Sequence, residues 1–140
     1  MIPAARKRSL SRHLVAAFSL AIALAATPAS AATDYTDLWW NPSESGWGVN
    51  FIQADDFIFS TFFIYGPSGQ PTWYTGQLAL DANNNWIGPL YMTSGSYFGS
   101  PWNPGQSGIR QVGSVSFVPA TEASGTLSYA VDGVIVSKQV

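Results

Sequence analysis

From residue 47 onward, apolar and polar positions alternate with period two, the signature of strands rather than helices. In residues 47–53, Trp47, Val49 and Phe51 share one face, and Gly48, Asn50 and Ile52 share the other. Residues 57–65 (FIFSTFFIY) are apolar on both faces: Phe57, Phe59, Phe63 and Tyr65 on one, Ile58, Phe62 and Ile64 on the other. β-Branched and aromatic residues dominate this run, so it reads as a strand covered on both sides. Residues 72–80 put Trp73 and Tyr74 on opposite faces, and residues 86–93 follow, with Gly88-Pro89 predicting a bulge or an edge strand. A short strand at 38–40 precedes them all.

Turn chemistry separates these runs. Asp55-Asp56, Gly66-Pro67-Ser68-Gly69 and the asparagine-rich 81–85 are each bounded by strand patterns. Residues 94–109 hold Gly95, Gly99, Pro101, Pro104, Gly105 and Gly108, too many breakers for a regular element. They also carry Tyr97, Phe98 and Trp102, which predicts an ordered loop folded over the domain. Residues 112–118 form the next strand, with Val115 and Phe117 inward. Residues 125–131 and 134–140 flank Asp132-Gly133, a strong hairpin signal that pairs Val131 with Val134 and Tyr129 with Val136. The expected fold is all-β: an antiparallel up-and-down meander of seven to eight strands, closing into a small barrel or a flattened, sandwich-like one. Such an interior is filled by side chains or holds one small ligand.

The first 31 residues read differently. Arg6, Lys7, Arg8 and Arg12 precede an apolar run from Leu14 to Ala26, and Ala29-Ser30-Ala31 supplies small residues for a signal peptidase. The run is too short to span a bilayer, which takes about twenty apolar residues. The expected organisation is a cleaved signal peptide, 1–31, and one domain, 32–140, exported to the periplasm or the extracellular space. Without the leader, Arg110 and Lys138 face all eight acidic residues, and His13 is gone. Cysteine is absent from the whole sequence. Disulfide stapling, Ser-His-Asp or Cys-His nucleophiles and Cys/His zinc sites are therefore excluded. Two basic residues cannot neutralise a nucleic-acid backbone. No loop has the oxygen-ligand spacing of a calcium site, so no metal or cofactor is expected.

Residues 39–48 (WWNPSESGWG) concentrate the candidate chemistry. Three tryptophans lie among Asn41-Pro42, Glu44, Ser45 and two glycines. Trp102-Asn103-Pro104 echoes Trp40-Asn41-Pro42, which is read as recurrent turn chemistry. WWNPSESGWG, the Phe-rich strand, GPSGQPTWY, GSPWNP and VDGVIVSK together resemble a β-rich module of exported bacterial proteins. That module occurs alone or appended to secreted hydrolases and has no settled activity, so the resemblance implies location and modularity rather than chemistry. Trp39-x-Asn41 and Ser45 also resemble the first strand of the avidin family, an eight-stranded meander, although Pro42 falls inside the loop that would bind ligand there. This second likeness implies architecture only.

Catalytic groups are sparse. Glu44 is the best-placed acid, but glycoside hydrolysis ordinarily needs a second carboxylate across the bond. It reads as a hydrogen-bond acceptor, and Arg110 or Lys138 as a partner for an acid. The six tryptophans exceed what a small core needs, and about half are expected to be core. The expected function is a non-catalytic binding module. Its aromatic site is drawn from Trp39, Trp40, Asn41, Glu44, Ser45, Trp47, Tyr97, Trp102 and Asn103 and serves a glycan or a small apolar ligand. The alternative is a protein-interaction or structural domain, including an inhibitor of exported enzymes.

Overall fold

The structure, a computed structural model, describes residues 33–140; the expected leader and its cleavage point lie outside the described residues. Among the described residues, eight strands run in chain order: β1 (Asp37–Trp39), β2 (Gly48–Ala54), β3 (Phe57–Tyr65), β4 (Pro71–Leu80), β5 (Trp86–Ser94), β6 (Gly108–Thr121), β7 (Ser124–Val131) and β8 (Val134–Gln139). Each pairs antiparallel with the next, giving one sheet in the order β1 to β8. Short turns make this order the cheapest one. Asp55 at φ 51° turns β2 into β3, and Asp132 and Gly133, at φ 47° and 87°, turn β7 into β8. Positive φ at both central positions is the primed hairpin geometry that matches strand twist. The β7–β8 register pairs Val131 with Val134 and Tyr129 with Val136, as the hairpin signal requires.

The sheet curls on itself. Trp39 of β1 reaches Phe117 of β6, ring centroids 4.9 Å apart, and Phe62 of β3 reaches Tyr129 of β7 at 5.2 Å. Phe51, Phe62 and Phe117 are fully buried on the concave face. Each such side chain contributes about 1.5–3 kcal/mol relative to exposure. No ladder joins β1 to β8, so the sheet is a half-barrel with an open seam.

Three expectations are corrected or narrowed. β3 is buried on one face only: Ile58 and Phe62 point inward, whereas Phe57, Phe59 and Phe63 are exposed on the convex face, and Tyr65, at the strand end, is exposed and folds over Gly46. A half-barrel of one sheet has no second layer to cover them. Of the two alternatives at Gly88-Pro89, the structure has the bulge and not the edge: β5 lies between β4 and β6. The missing proline N–H is accommodated by a break in the β4 ladder between Gly76–Leu90 and Ala79–Ile87, with a bulge at Leu90/Tyr91. Gly88 is obligatory there, since a β-carbon would stand 1.9 Å from the Gln77 carbonyl oxygen. The 94–109 loop is shorter than expected: β5 extends to Ser94, a single 3-10 turn covers Pro104–Gln106, and β6 starts at Gly108.

Candidate functional site

Antiparallel order places the segments 40–47, 66–70, 95–107 and 132–133 at one end of the sheet. Asn41 shapes the first. Its side-chain oxygen accepts from the Ser43 N–H at 2.8 Å, and its carbonyl accepts from the Glu44 N–H at 2.9 Å. This Asx turn carries Glu44 toward β8. The Glu44 carboxylate accepts from the Trp47 indole N–H at 3.0 Å and from the Lys138 ammonium. The same ammonium sits 5.0 Å from the Trp47 ring centroid. A cation held by a carboxylate and an aromatic face thus ties the 40–47 segment to the last strand, across the seam that no backbone ladder closes.

Behind this tie lies a cleft of about 550 Å³. Trp47, Tyr65, Tyr74 and Tyr129 supply its aromatic wall, and Ile64, Val131, Val134 and Val136 its aliphatic surface. Tyr65 folds over Gly46, where a β-carbon would stand 3.2 Å from the phenol oxygen. Lys138 and Asp132 supply charge at the margin. Asp132 accepts from both terminal nitrogens of Arg110, at 2.6 and 3.0 Å, a bidentate pair.

Electrostatics follow from these partners. The Lys138 ammonium holds the Glu44 carboxyl below its ordinary value, with the Trp47 N–H adding to the effect. The Arg110 guanidinium does the same for Asp132. Burial, and secondarily the Glu44 charge, push the Tyr129 phenol up, so it stays a neutral donor and acceptor. The cleft is therefore lined by aromatic rings and rimmed by two internally balanced ion pairs. Among the described residues no group of three or more His, Cys, Asp or Glu side chains is placed to hold a metal ion.

The residues singled out from sequence divide into five places. Glu44 and Trp47 meet at the cleft. Trp39 is core: it is 6 % exposed, and its indole N–H donates to the Tyr35 carbonyl at 2.9 Å. Trp40 is 49 % exposed and borders a second groove of about 440 Å³ along the seam, with Leu38, Pro42 and Val140. Asn41 serves its own turn, and Ser45 is exposed on the same segment. Tyr97, Trp102 and Asn103 lie in the 95–107 segment, which is closed on itself by the Ser96 hydroxyl bonding both the N–H and the carbonyl of Asn103. Tyr97 and Trp102 are exposed. No aromatic pair among the described residues joins that segment to Trp40 or Trp47. Asn103 repeats the Asn41 turn: its side chain accepts from Gly105 N–H at 3.0 Å, and its carbonyl from Gln106 N–H at 3.0 Å. The echo between the two Trp-Asn-Pro segments is turn chemistry in both places.

Sequence reasoning did not place Tyr65, Tyr74, Tyr129 or Lys138 in the site. Period two does put Tyr74 opposite Trp73, and the hairpin register puts Tyr129, Val136 and Lys138 on one face. Curling of the sheet, which strand periodicity does not encode, brings those faces together. No protein-family model matches this chain, and neither a curated protein nor a solved structure does.

Proposed function

We propose that this domain is a non-catalytic binding module whose cleft takes a small ring-bearing ligand, a sugar unit or an apolar ring compound. The observation that carries the reading is the convergence of Trp47, Tyr65, Tyr74 and Tyr129 on one open cleft at the loop end of the half-barrel. Its volume falls in the range of about 300–1,000 Å³ that holds small molecules. Ring faces and valines supply apolar contact, and phenol hydroxyls with the Lys138 head supply direction. The acids support binding over catalysis. Glu44 and Asp132 are each held by a basic side chain that keeps them ionised, so neither is a ready proton donor at neutral pH. The test is quenching of tryptophan fluorescence by a panel of mono- and disaccharides and aromatic compounds. Saturable quenching that Trp47→Ala weakens more than tenfold, with an unchanged circular dichroism spectrum, is the expected result. Saturable binding that Trp47→Ala leaves intact, or no binding by any panel member, refutes the cleft.

A second reading, a protein-interaction module, rests on the convex face. Phe59, Phe63 and Trp73 are exposed there, on neighbouring strands, with Phe63 directly opposite Trp73. Exposed apolar patches of that kind mark protein contacts. Binding lost on Phe63→Ser and Trp73→Ser but not on Trp47→Ala would select it.

A further inference from the structure

The two edges of the sheet are treated unequally. β1 is three residues long, and its surroundings are blunted by local bonds. The Leu38 N–H is taken by the Asp37 carboxylate at 2.7 Å, and the Tyr35 N–H by the Gln53 side chain at 2.9 Å. Short, self-satisfied edges resist pairing with another chain. β8 has no such protection. Gly125 and Val140 exchange both backbone bonds at 2.9 Å, which fixes the phase of the whole β7–β8 ladder. Bonded pairs alternate from there, so Lys138, Val136 and Val134 bond β7, while Gln139, Ser137 and Ile135 turn their N–H and C=O outward. None of those outward groups has a backbone partner among the described residues. The edge is also exposed, Ile135 at 80 % and Val134 at 66 %. Its one charge, Lys138, points inward to Glu44.

We infer that β8 is a docking edge and that its occupant is the β8 strand of a second copy of this chain. The chemistry names the class of occupant, because a row of outward N–H and C=O groups at strand spacing is complemented only by another strand. The pattern also names the copy. An antiparallel two-fold pair centred on Ser137 sets Ile135 against Gln139 of the second copy and Ser137 against its own equivalent. Every outward N–H and C=O then finds a partner, which is the self-complementarity a two-fold interface needs. In that register Lys138 lies opposite Val136, so the two ammonium groups are not apposed. Charge favours this edge as well. The acidic residues Asp55, Asp56, Asp81 and Glu122 sit in turns at the sheet ends, where copies repel, whereas the outward residues of β8 are uncharged. The paired sheet is continuous across the axis, and the two Trp47 clefts open toward opposite ends of the dimer.

Light scattering on size-separated protein, from about 1 to 500 µM, tests this together with hydrogen exchange. The expected result is a concentration-dependent dimer, with the Ile135, Ser137 and Gln139 amides exchanging at least tenfold more slowly at the top of the range. Ser137→Pro removes an N–H that the β7 ladder does not use, so it should abolish the dimer and leave the circular dichroism spectrum unchanged. Ser137→Ala, which loses only the hydroxyl contact to Ser128, should still dimerise. A monomer throughout the range overturns the inference. So does a dimer in which those three amides exchange freely, a result that needs no variant to fold. A dimer that survives a folded Ser137→Pro overturns it too, and moves the contact to the convex aromatic face. None of these outcomes bears on ligand binding in the cleft.

Discussion

Trp39, Trp40 and Trp47 fall within nine residues, yet the structure assigns them three different energies. Trp39 is the decisive one. Its ring packs on Phe117 at 4.9 Å, Phe51 at 6.1 Å and Tyr35 at 6.2 Å, and its N–H satisfies the Tyr35 carbonyl. Truncation to alanine removes the transfer energy of a buried indole and leaves a cavity between β1 and β6, a loss of about 3–5 kcal/mol. For a domain of this size, that corresponds to a fall in Tm of roughly 15–30 °C. Trp39→Phe keeps most ring contact but drops the indole N–H, so it should cost an intermediate amount. Trp40 is half exposed at the seam, and Trp40→Ala should stay within about 0.5 kcal/mol of wild type. Trp47→Ala loses an exposed cation–π contact and one hydrogen bond, about 1 kcal/mol together. Thermal melts followed by circular dichroism rank the three. Equal losses for Trp39→Ala and Trp40→Ala would refute the inward placement of Trp39 and, with it, the curl that brings β1 onto β6.

Gly133→Val should destabilise by about 1 kcal/mol or more, because a β-branched residue resists the positive φ of the turn; an unchanged urea midpoint counts against the primed hairpin. Gly88→Ala should cost more than a typical surface change, since its β-carbon meets the Gln77 carbonyl rather than a movable side chain; wild-type stability would refute the close β4–β5 approach beside Pro89. Acid should also destabilise. Glu44, Asp81 and Asp132 all have folded-state values below their ordinary ones, through Lys138, the Asn85 backbone N–H and Arg110 respectively. Their contributions are complete above the ordinary carboxylate range and fade as pH falls through the lower folded values. A urea midpoint that declines below about pH 4.5, less steeply in Glu44→Gln, is expected; a midpoint independent of pH down to about 2.5 contradicts it.

Strand order was legible because every connection but 95–107 is short enough for a hairpin and carries its own turn chemistry. Asp132-Gly133 reports both the turn and the register of β7 and β8. The Asn-Pro pair at 41–42 likewise reports its turn, and Asn103-Pro104 reports the same one again. The inward face of β2 could be read from Trp47, Val49 and Phe51. Burial of the other β3 face could not, because apolarity does not tell whether a second layer exists to cover Phe59 and Phe63. Pro89 pointed to a bulge or an edge without choosing between them; β5 is interior, because a two-pair gap in the β4 ladder and the bulge at Leu90/Tyr91 satisfy the constraint. The site was half legible. Glu44 and Trp47 stand out locally, but Lys138 reaches them only because the sheet curls and brings its last strand back to its first turn. Tyr65, Tyr74 and Tyr129 each look like ordinary strand aromatics until that closure is known.

The cleft itself is tested most directly by the indole N–H resonances of the six tryptophans in a ¹⁵N-labelled sample, titrated with the ligand panel. Trp47 donates to Glu44 at the cleft mouth, whereas Trp39 and Trp86 are buried away from it. A binding ligand should move the Trp47 signal saturably, together with the amides of Val131, Val134 and Val136, and leave Trp39, Trp86 and Trp102 in place. Saturable shifts confined to Trp40, Trp73 or Trp102, with Trp47 unmoved, would contradict the cleft as the binding site.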